Sequence, residues 1–186
     1  MEPLPFATPK DWDAWLAENH ADTVEVWIKF YRKGSGTASI NWEQAVIEAL
    51  CWGWIDGQAK PLDDTAWLQR FTPRRAKSSW SQKNRDHVAR LIAEDRMQSP
   101  GLVHVQTAKA DGRWDAAYSG PKDAVVPADF LAALDAMPTA KAFYGTLNSS
   151  NRYSIYYGLH SAKRPETRAK RMTLYLAMME RGEKFQ

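Results

Sequence analysis

The spacing of apolar residues changes at Pro73, and this change constrains the fold more than any other feature of the chain. From residue 23 to residue 31, apolar and polar positions alternate, with one face formed by Val24, Val26, Ile28 and Phe30. This alternation is typical of a strand with one buried face. Two further segments, residues 54–60 and 65–72, flank the turn-rich residues 61–64 and predict a hairpin. We therefore expect a small antiparallel sheet of about three strands.

Helical signals surround this sheet and dominate the chain after Pro73. Thr8-Pro9 predicts a helix start, and residues 41–52 are apolar nearly all round, which is typical of a buried helix. Ser79 or Ser81 can cap a helix through Val88 and Leu91, and further short helices extend to residue 180. The predicted class is α+β, mostly α-helical, with a C-terminal helical unit. Because residues 111–127 are rich in Gly and Pro, we expect an N-terminal α+β domain over 1–119 and a helical segment over 120–186.

Composition excludes several classes of protein. The chain has 186 residues with nine Trp and a net charge of +3, which argues against disorder. One Cys excludes a disulfide scaffold, and the four His are too scattered for a metal site, so we expect no metal and no cofactor. No apolar run approaches the length of a membrane span, and the first residues carry no export signal, so we expect a cytoplasmic protein with no transmembrane segment.

Charge is distributed unevenly along the chain. Residues 1–69 hold five Lys/Arg against eleven Asp/Glu, whereas residues 70–96 hold eight against three. Residues 152–171 hold six against one, and in the last predicted helix Arg164, Arg168 and Arg171 form a basic stripe. Such segments can form an anion site, a nucleic-acid face or a membrane-surface patch, or they can simply be solvated surface with ion pairs to the acidic third.

Two segments, residues 51–58 and 70–85, combine charge with aromatic side chains. In the predicted hairpin Asp56 and Arg70 lie on paired strands and can meet, next to a helix start whose free amides favour an anion. Tryptophan rings can supply flat walls for the ligand. The predicted ligand site comprises Trp54, Asp56, Gln58, Arg70, Arg74, Arg75, Ser79, Trp80 and Asn84. In the alternative interpretation, Asp56 pairs with an arginine only to orient the loop, and the tryptophans belong to the core.

Several sequence blocks, in order, resemble the bacterial YdeI/OmpD-associated family. The blocks are residues 48–58, residues 68–75, Ser79-Trp80-Ser81 with Asn84, and residues 108–114, followed by residues 162–171, which look like the family's C-terminal OmdA segment. The resemblance spans nearly the whole chain. It implies a role in protection against bacteriocins and antimicrobial peptides and association with an outer-membrane porin, and it brings no catalytic residues.

These observations leave three functional hypotheses. The leading one is a non-enzymatic stress or resistance protein that binds an anionic small molecule or a protein partner through the predicted ligand site. The second is a nucleic-acid-binding protein that uses both basic segments. The third is an enzyme centred on Asp56, and it ranks last because the sequence offers no evident nucleophile and no phosphate-loop or dinucleotide motif.

Overall fold

The computed structural model describes residues 2–185, which divide into two compact units, one ending at Ala117 and the other beginning at Tyr118. The first unit contains, in chain order, β1 (Leu4–Pro5), α1 (Pro9–Asn19), β2 (Val26–Tyr31), α2 (Trp42–Cys51), β3 (Trp54–Pro61), β4 (Ala66–Pro73), α3 (Gln82–Ala93) and α4 (Ser99–Ala110). The second contains α5 (Ala128–Asp135), α6 (Pro138–Gly145), α7 (Ser149–His160) and α8 (Pro165–Glu180). The predicted α+β class is confirmed.

The sheet has the strand order β1-β2-β4-β3. The hairpin β3–β4 and the pair β2–β4 are antiparallel, as the alternating segments predict. The short strand β1 adds a parallel pair with β2, in which Leu4 lies opposite Ile28, and the sequence did not indicate it. Two residues are too few to show an alternating pattern, so this strand exists only through its pairing with a distant partner.

Local hydrogen bonds explain where the helices begin. Thr8 and Asn41 each form a capping box with the residue three positions later, Asp11 and Gln44 respectively. Of the two candidate caps for α3, Ser81 is the one used, and its hydroxyl accepts from the amide of Asn84. These caps satisfy amides that have no partner inside the helix.

Tryptophan rings fill the core of the first unit. Trp12, Trp54 and Trp80 are almost fully buried, and the rings of Trp12 and Trp54 meet edge to face with centroids 6.4 Å apart. All nine Trp of the chain lie before Ala117 and therefore in this unit. The predicted buried helix α2 is confirmed, and it also carries Glu48, which is only 7% exposed and accepts two hydrogen bonds from Arg96.

The second unit has its own helical core. Phe130 and Leu134 of α5 pack with Ile155 and Leu159 of α7 and with Met179 of α8. All five side chains are at most 2% exposed, so the four helices of this unit share one apolar interior.

Candidate functional site

The nine residues of the predicted ligand site do not line one common surface. Three are buried, three are half-buried and three are exposed: respectively Trp54, Arg74 and Trp80, then Asp56, Arg70 and Asn84, then Gln58, Arg75 and Ser79. A ligand arriving from solvent reaches the exposed group directly and has no access to the buried group.

Asp56 and Arg70 do not form the contact that the hairpin suggested. Asp56 lies opposite Phe71, and a β-bulge between Asp56 and Ala59 shifts the register beyond that point. Successive side chains of a strand point to opposite faces, so Arg70 faces away from the side of Phe71. Its Nη1 instead lies 3.4 Å from a carboxylate oxygen of Glu25.

The Asp56 carboxylate has a different partner. It accepts a hydrogen bond of 3.2 Å from the indole Nε1 of Trp42. Burial raises the pKa of Asp56, while this hydrogen bond and the charge of Arg74 act in the opposite direction.

Arg74 holds the loop between β4 and α3 against the core. Its guanidinium carbon lies 3.7 Å from the centroid of the Trp80 ring, and Nη1 donates to the carbonyl of Ser79 at 3.1 Å. Its backbone amide also donates to the carbonyl of Gly53 at 2.8 Å. With only 4% of its surface exposed, Arg74 orders the loop from within.

A cluster of cations surrounds Trp114, which packs on Trp80 with ring centroids 5.0 Å apart. The guanidinium of Arg85 and the ammonium of Lys109 each lie 5.3 Å from the centroid of Trp114. Arg113 donates to the carbonyl of Ser78 at 2.8 Å, which places it beside the loop that carries two more cations. We call this cluster the basic surface, and its members are Arg75, Lys77, Arg85, Lys109 and Arg113.

Ion pairing separates these cations from the other basic residues of segment 70–96. Lys83 pairs with Glu43 at 2.8 Å, Arg90 with Glu94 and Arg96 with Glu48. In the basic surface Arg113 pairs with Asp111 at 2.8 Å. Its other four cations form no ion pair with any residue of the described chain, although Asp86 directly follows Arg85 in the sequence. Four of the five cations of the basic surface, Arg75, Lys77, Arg85 and Lys109, therefore keep an unneutralised charge within the described chain.

Sequence reasoning missed Lys109, Arg113 and Trp114 as members of a functional surface. A signal was present, because two cations and a Trp occur within six residues at the end of a predicted helix. This stretch lies outside the basic segment 70–96, so only folding brings it to Arg85.

His104 lies near the basic surface without adding charge to it at neutral pH. Burial lowers its pKa, and the positive charges of Arg74 and Arg113 lower it further. The ring is therefore neutral near pH 7.

Two of the three cations in the predicted basic stripe of α8 bind other residues of the second unit. Arg168 donates two hydrogen bonds to the carboxylate of Asp129, at 2.7 and 2.9 Å. Arg171 donates to the carbonyl of Gly158 and to the hydroxyl of Ser161. Arg164, at the start of the helix, is exposed. Among the described residues, Arg164 alone of the three predicted cations makes no such contact.

The cysteine thiol is unreactive, and no group of metal ligands is assembled in the described part of the chain. Cys51 is buried, and burial raises the pKa of its thiol to about 12, so the reactive thiolate does not form at neutral pH. Among residues 2–185 no three His, Cys, Asp or Glu side chains are placed to hold a metal ion together.

The helices of residues 2–185 include none with the length and apolar character required to cross a membrane.

Comparison with known families gives two matches. Residues 4–104 match the family model described as Domain of unknown function (DUF8412). Residues 123–182 match the family model described as Bacteriocin-protection, YdeI or OmpD-Associated, which confirms the predicted family. The predicted extent of the resemblance is wrong, because this second match lies in the C-terminal unit alone. No curated protein and no solved structure matches the chain.

Proposed function

The chain belongs to the family described as Domain of unknown function (DUF8412) and carries a segment of the Bacteriocin-protection, YdeI or OmpD-Associated family, and from this premise we propose that it is a non-enzymatic resistance-associated protein that binds an anionic partner. The binding site is the basic surface of the first unit. Its partner is an anionic ligand or the acidic face of another protein.

One observation carries this proposal: Arg85 and Lys109, which form no ion pair in the described chain, lie over the ring of Trp114, and Arg113 connects them to the loop that carries Arg75 and Lys77. Arg75, Lys77 and Lys109 are exposed, and Arg85 is half-exposed. Unneutralised cations on one surface attract an anionic partner and orient its approach, because their fields add. In contrast, Lys83 and Arg90 are already neutralised by Glu43 and Glu94.

The family description gives this binding a biological setting. Its words link the C-terminal segment to bacteriocin protection and to association with OmpD. A protein that recognises an acidic partner through charge fits a protective or stress role without catalysis, and the buried Cys51 supplies no nucleophile for a reaction.

Nucleic acid is the second candidate, and the environment of Trp114 favours it. Proteins that bind single strands combine aromatic rings with cations, since bases stack on the rings while the cations contact phosphates. Arg85 and Lys109 flank Trp114 in this way. The ring is half-buried, which limits the area available for stacking.

The decisive experiment measures binding of an acidic peptide and of a single-stranded oligonucleotide by fluorescence anisotropy over a range of salt concentrations. The test variant is Arg85→Ala/Lys109→Ala. The matched control is Lys83→Ala/Arg90→Ala, which removes the same charge from ion-paired positions on α3. We expect the test variant to lose about tenfold or more in affinity for the acidic peptide, while the control keeps most of it.

The two candidates give different salt dependences. Oligonucleotide binding through the basic surface has a steep dependence on salt, and removing two phosphate contacts lowers the slope by about 1.4. Binding of the peptide alone supports the leading candidate, and steep oligonucleotide binding supports the second. Equal losses in the test and control variants, or no binding of either probe, contradict a role for the basic surface.

A further inference from the structure

A second site of different character lies at the end of the sheet. The loop that joins β2 to α2, residues 32–41, borders a cavity of about 730 Å³ together with Trp42 and Trp67. This volume is within the range of small-molecule sites in proteins, about 300–1,000 Å³. None of the described residues that line the cavity is acidic.

Aromatic rings form the walls of this cavity. Trp67 stacks on Phe30 with ring centroids 4.6 Å apart, so one face of its indole is covered from the core side. Trp42 is 38% exposed, and its indole Nε1 donates to Asp56, which fixes the ring orientation. Rings held by the fold in this way can stack on a planar ligand with little loss of side-chain entropy.

The loop adds positive charge and backbone donors. Arg32 and Lys33 are exposed and form no ion pair within residues 2–185. Gly34 and Gly36 have φ of +90° and +77°, conformations that other residues rarely adopt, and they turn the backbone through the loop. In the described chain their amides donate no hydrogen bond, whereas the neighbouring amides of Ser35 and Thr37 donate to Arg32 and Ser35. Free amides beside two cations favour an anion.

We propose that this cavity binds a planar aromatic molecule that carries one anionic group. The ring of the ligand lies against Trp42 and Trp67, and the anion lies at Arg32, Lys33 and the amides of Gly34 and Gly36. A ligand needs both the ring and the anionic group to contact the whole cavity, because the walls are aromatic and the loop is positively charged. The site shares no residue with the basic surface and does not depend on the function proposed for it.

The experiment measures binding to the full chain by isothermal titration calorimetry. The probes are adenosine 5′-monophosphate and indole-3-carboxylate. Both combine a planar aromatic ring with an anionic group, which is a phosphate in the first and a carboxylate in the second. Adenosine and inorganic phosphate serve as the separate halves of the first probe, and indole and formate as those of the second. We expect at least one aromatic anion to bind tenfold or more tightly than either of its halves. A preference for one probe identifies the anion as phosphate or carboxylate.

The variant Arg32→Gln/Lys33→Gln tests the position of the site. We expect this variant to bind the aromatic anion tenfold or more weakly than wild type. The control Lys122→Gln/Lys184→Gln, which removes two exposed cations elsewhere, should leave the affinity unchanged. The variant Arg85→Ala/Lys109→Ala also keeps it, which separates this site from the basic surface. Failure of both aromatic anions to bind below about 1 mM overturns the proposal, as does equal binding by wild type and the loop variant.

Discussion

Gly101 marks the closest approach between two helices, and its replacement by Ala tests how the first unit is assembled. It lies in the first turn of α4, where the amide of Gln98 donates to the carbonyl of Cys51 at 3.1 Å. A methyl group on Gly101 would lie 2.8 Å from the carbonyl oxygen of Leu50 and inside van der Waals contact with that of Cys51. Backbone atoms cannot rotate away as a side chain can, so the two helices must separate.

The size of the effect follows from two opposing terms. Overpacking a well-filled contact costs about 1–3 kcal/mol, and here two fixed carbonyls place the cost at the upper end. Ala gains about 1 kcal/mol over Gly inside a helix. We therefore expect Gly101→Ala to lower the free energy of unfolding of the first unit by about 2 kcal/mol, and its Tm by roughly 8 °C.

The assay is thermal unfolding followed by tryptophan fluorescence, which reports on the first unit because all nine Trp lie in it. Gln106→Ala, at an exposed position of the same helix, is the control and should change stability by less than about 0.5 kcal/mol. Gly145→Ala, where the added methyl meets open space, should leave the circular-dichroism melt of the second unit unchanged or slightly raised. A Tm for Gly101→Ala equal to or above that of wild type refutes the predicted clash.

Three further predictions concern titratable groups of the first unit. Burial raises the pKa of Asp56 above 3.8, so the folded chain holds this proton more tightly than the unfolded chain, and stability falls as pH rises through the folded pKa. Asp56→Asn, which keeps an oxygen for the Trp42 indole, should therefore raise the Tm at pH 7, and a lower Tm there contradicts this. The pKa of His104 is lowered from 6.5, so stability is present above that pH and is lost as pH falls through the folded pKa. In fluorescence melts at pH values from 7 downward, His104→Asn should reduce the fall in Tm on acidification. The remaining fall includes the contribution of His87, whose pKa is also lowered. A dependence of Tm on pH equal to that of wild type contradicts this prediction. Cys51, buried and with a pKa of about 12, should react with a thiol reagent only after denaturant is added, and rapid labelling of the native chain would show that it is accessible.

Features with a local cause could be predicted from the sequence. The alternation of Val26, Ile28 and Phe30 predicts β2, because a strand with one buried face needs an apolar residue at every second position. The caps of α1 and α2 are equally local, since Thr8 and Asn41 bond to residues three positions away. Such interactions join residues a few positions apart, so a short stretch of the sequence is enough to predict them.

The candidate site was less predictable, because contacts between distant residues decide it. Asp56 pairs with Phe71, so Arg70 points to the other face of the sheet, and no single-strand pattern shows which residues of two strands will pair. Arg74 and Trp80 were predicted to face a ligand, yet they stack on each other below the surface. In the sequence, an arginine and a tryptophan that form a ligand site look the same as a pair that stack on each other in the core.

The charges of residues 70–96 show most clearly what the sequence determined and what the tertiary structure determined. The sequence by itself determined that residues 70–96 carry an excess of cations, because charge counts do not depend on conformation. Arg90 pairs locally with Glu94, but only the tertiary structure decided the fate of Lys83 and Arg85: Lys83 pairs with Glu43 of α2, whereas Arg85 lies over the ring of Trp114, which follows α4. The physical reason is that an ion pair or a ring contact acts over a few ångströms, and only folding brings residues about 30 or more positions apart within that range.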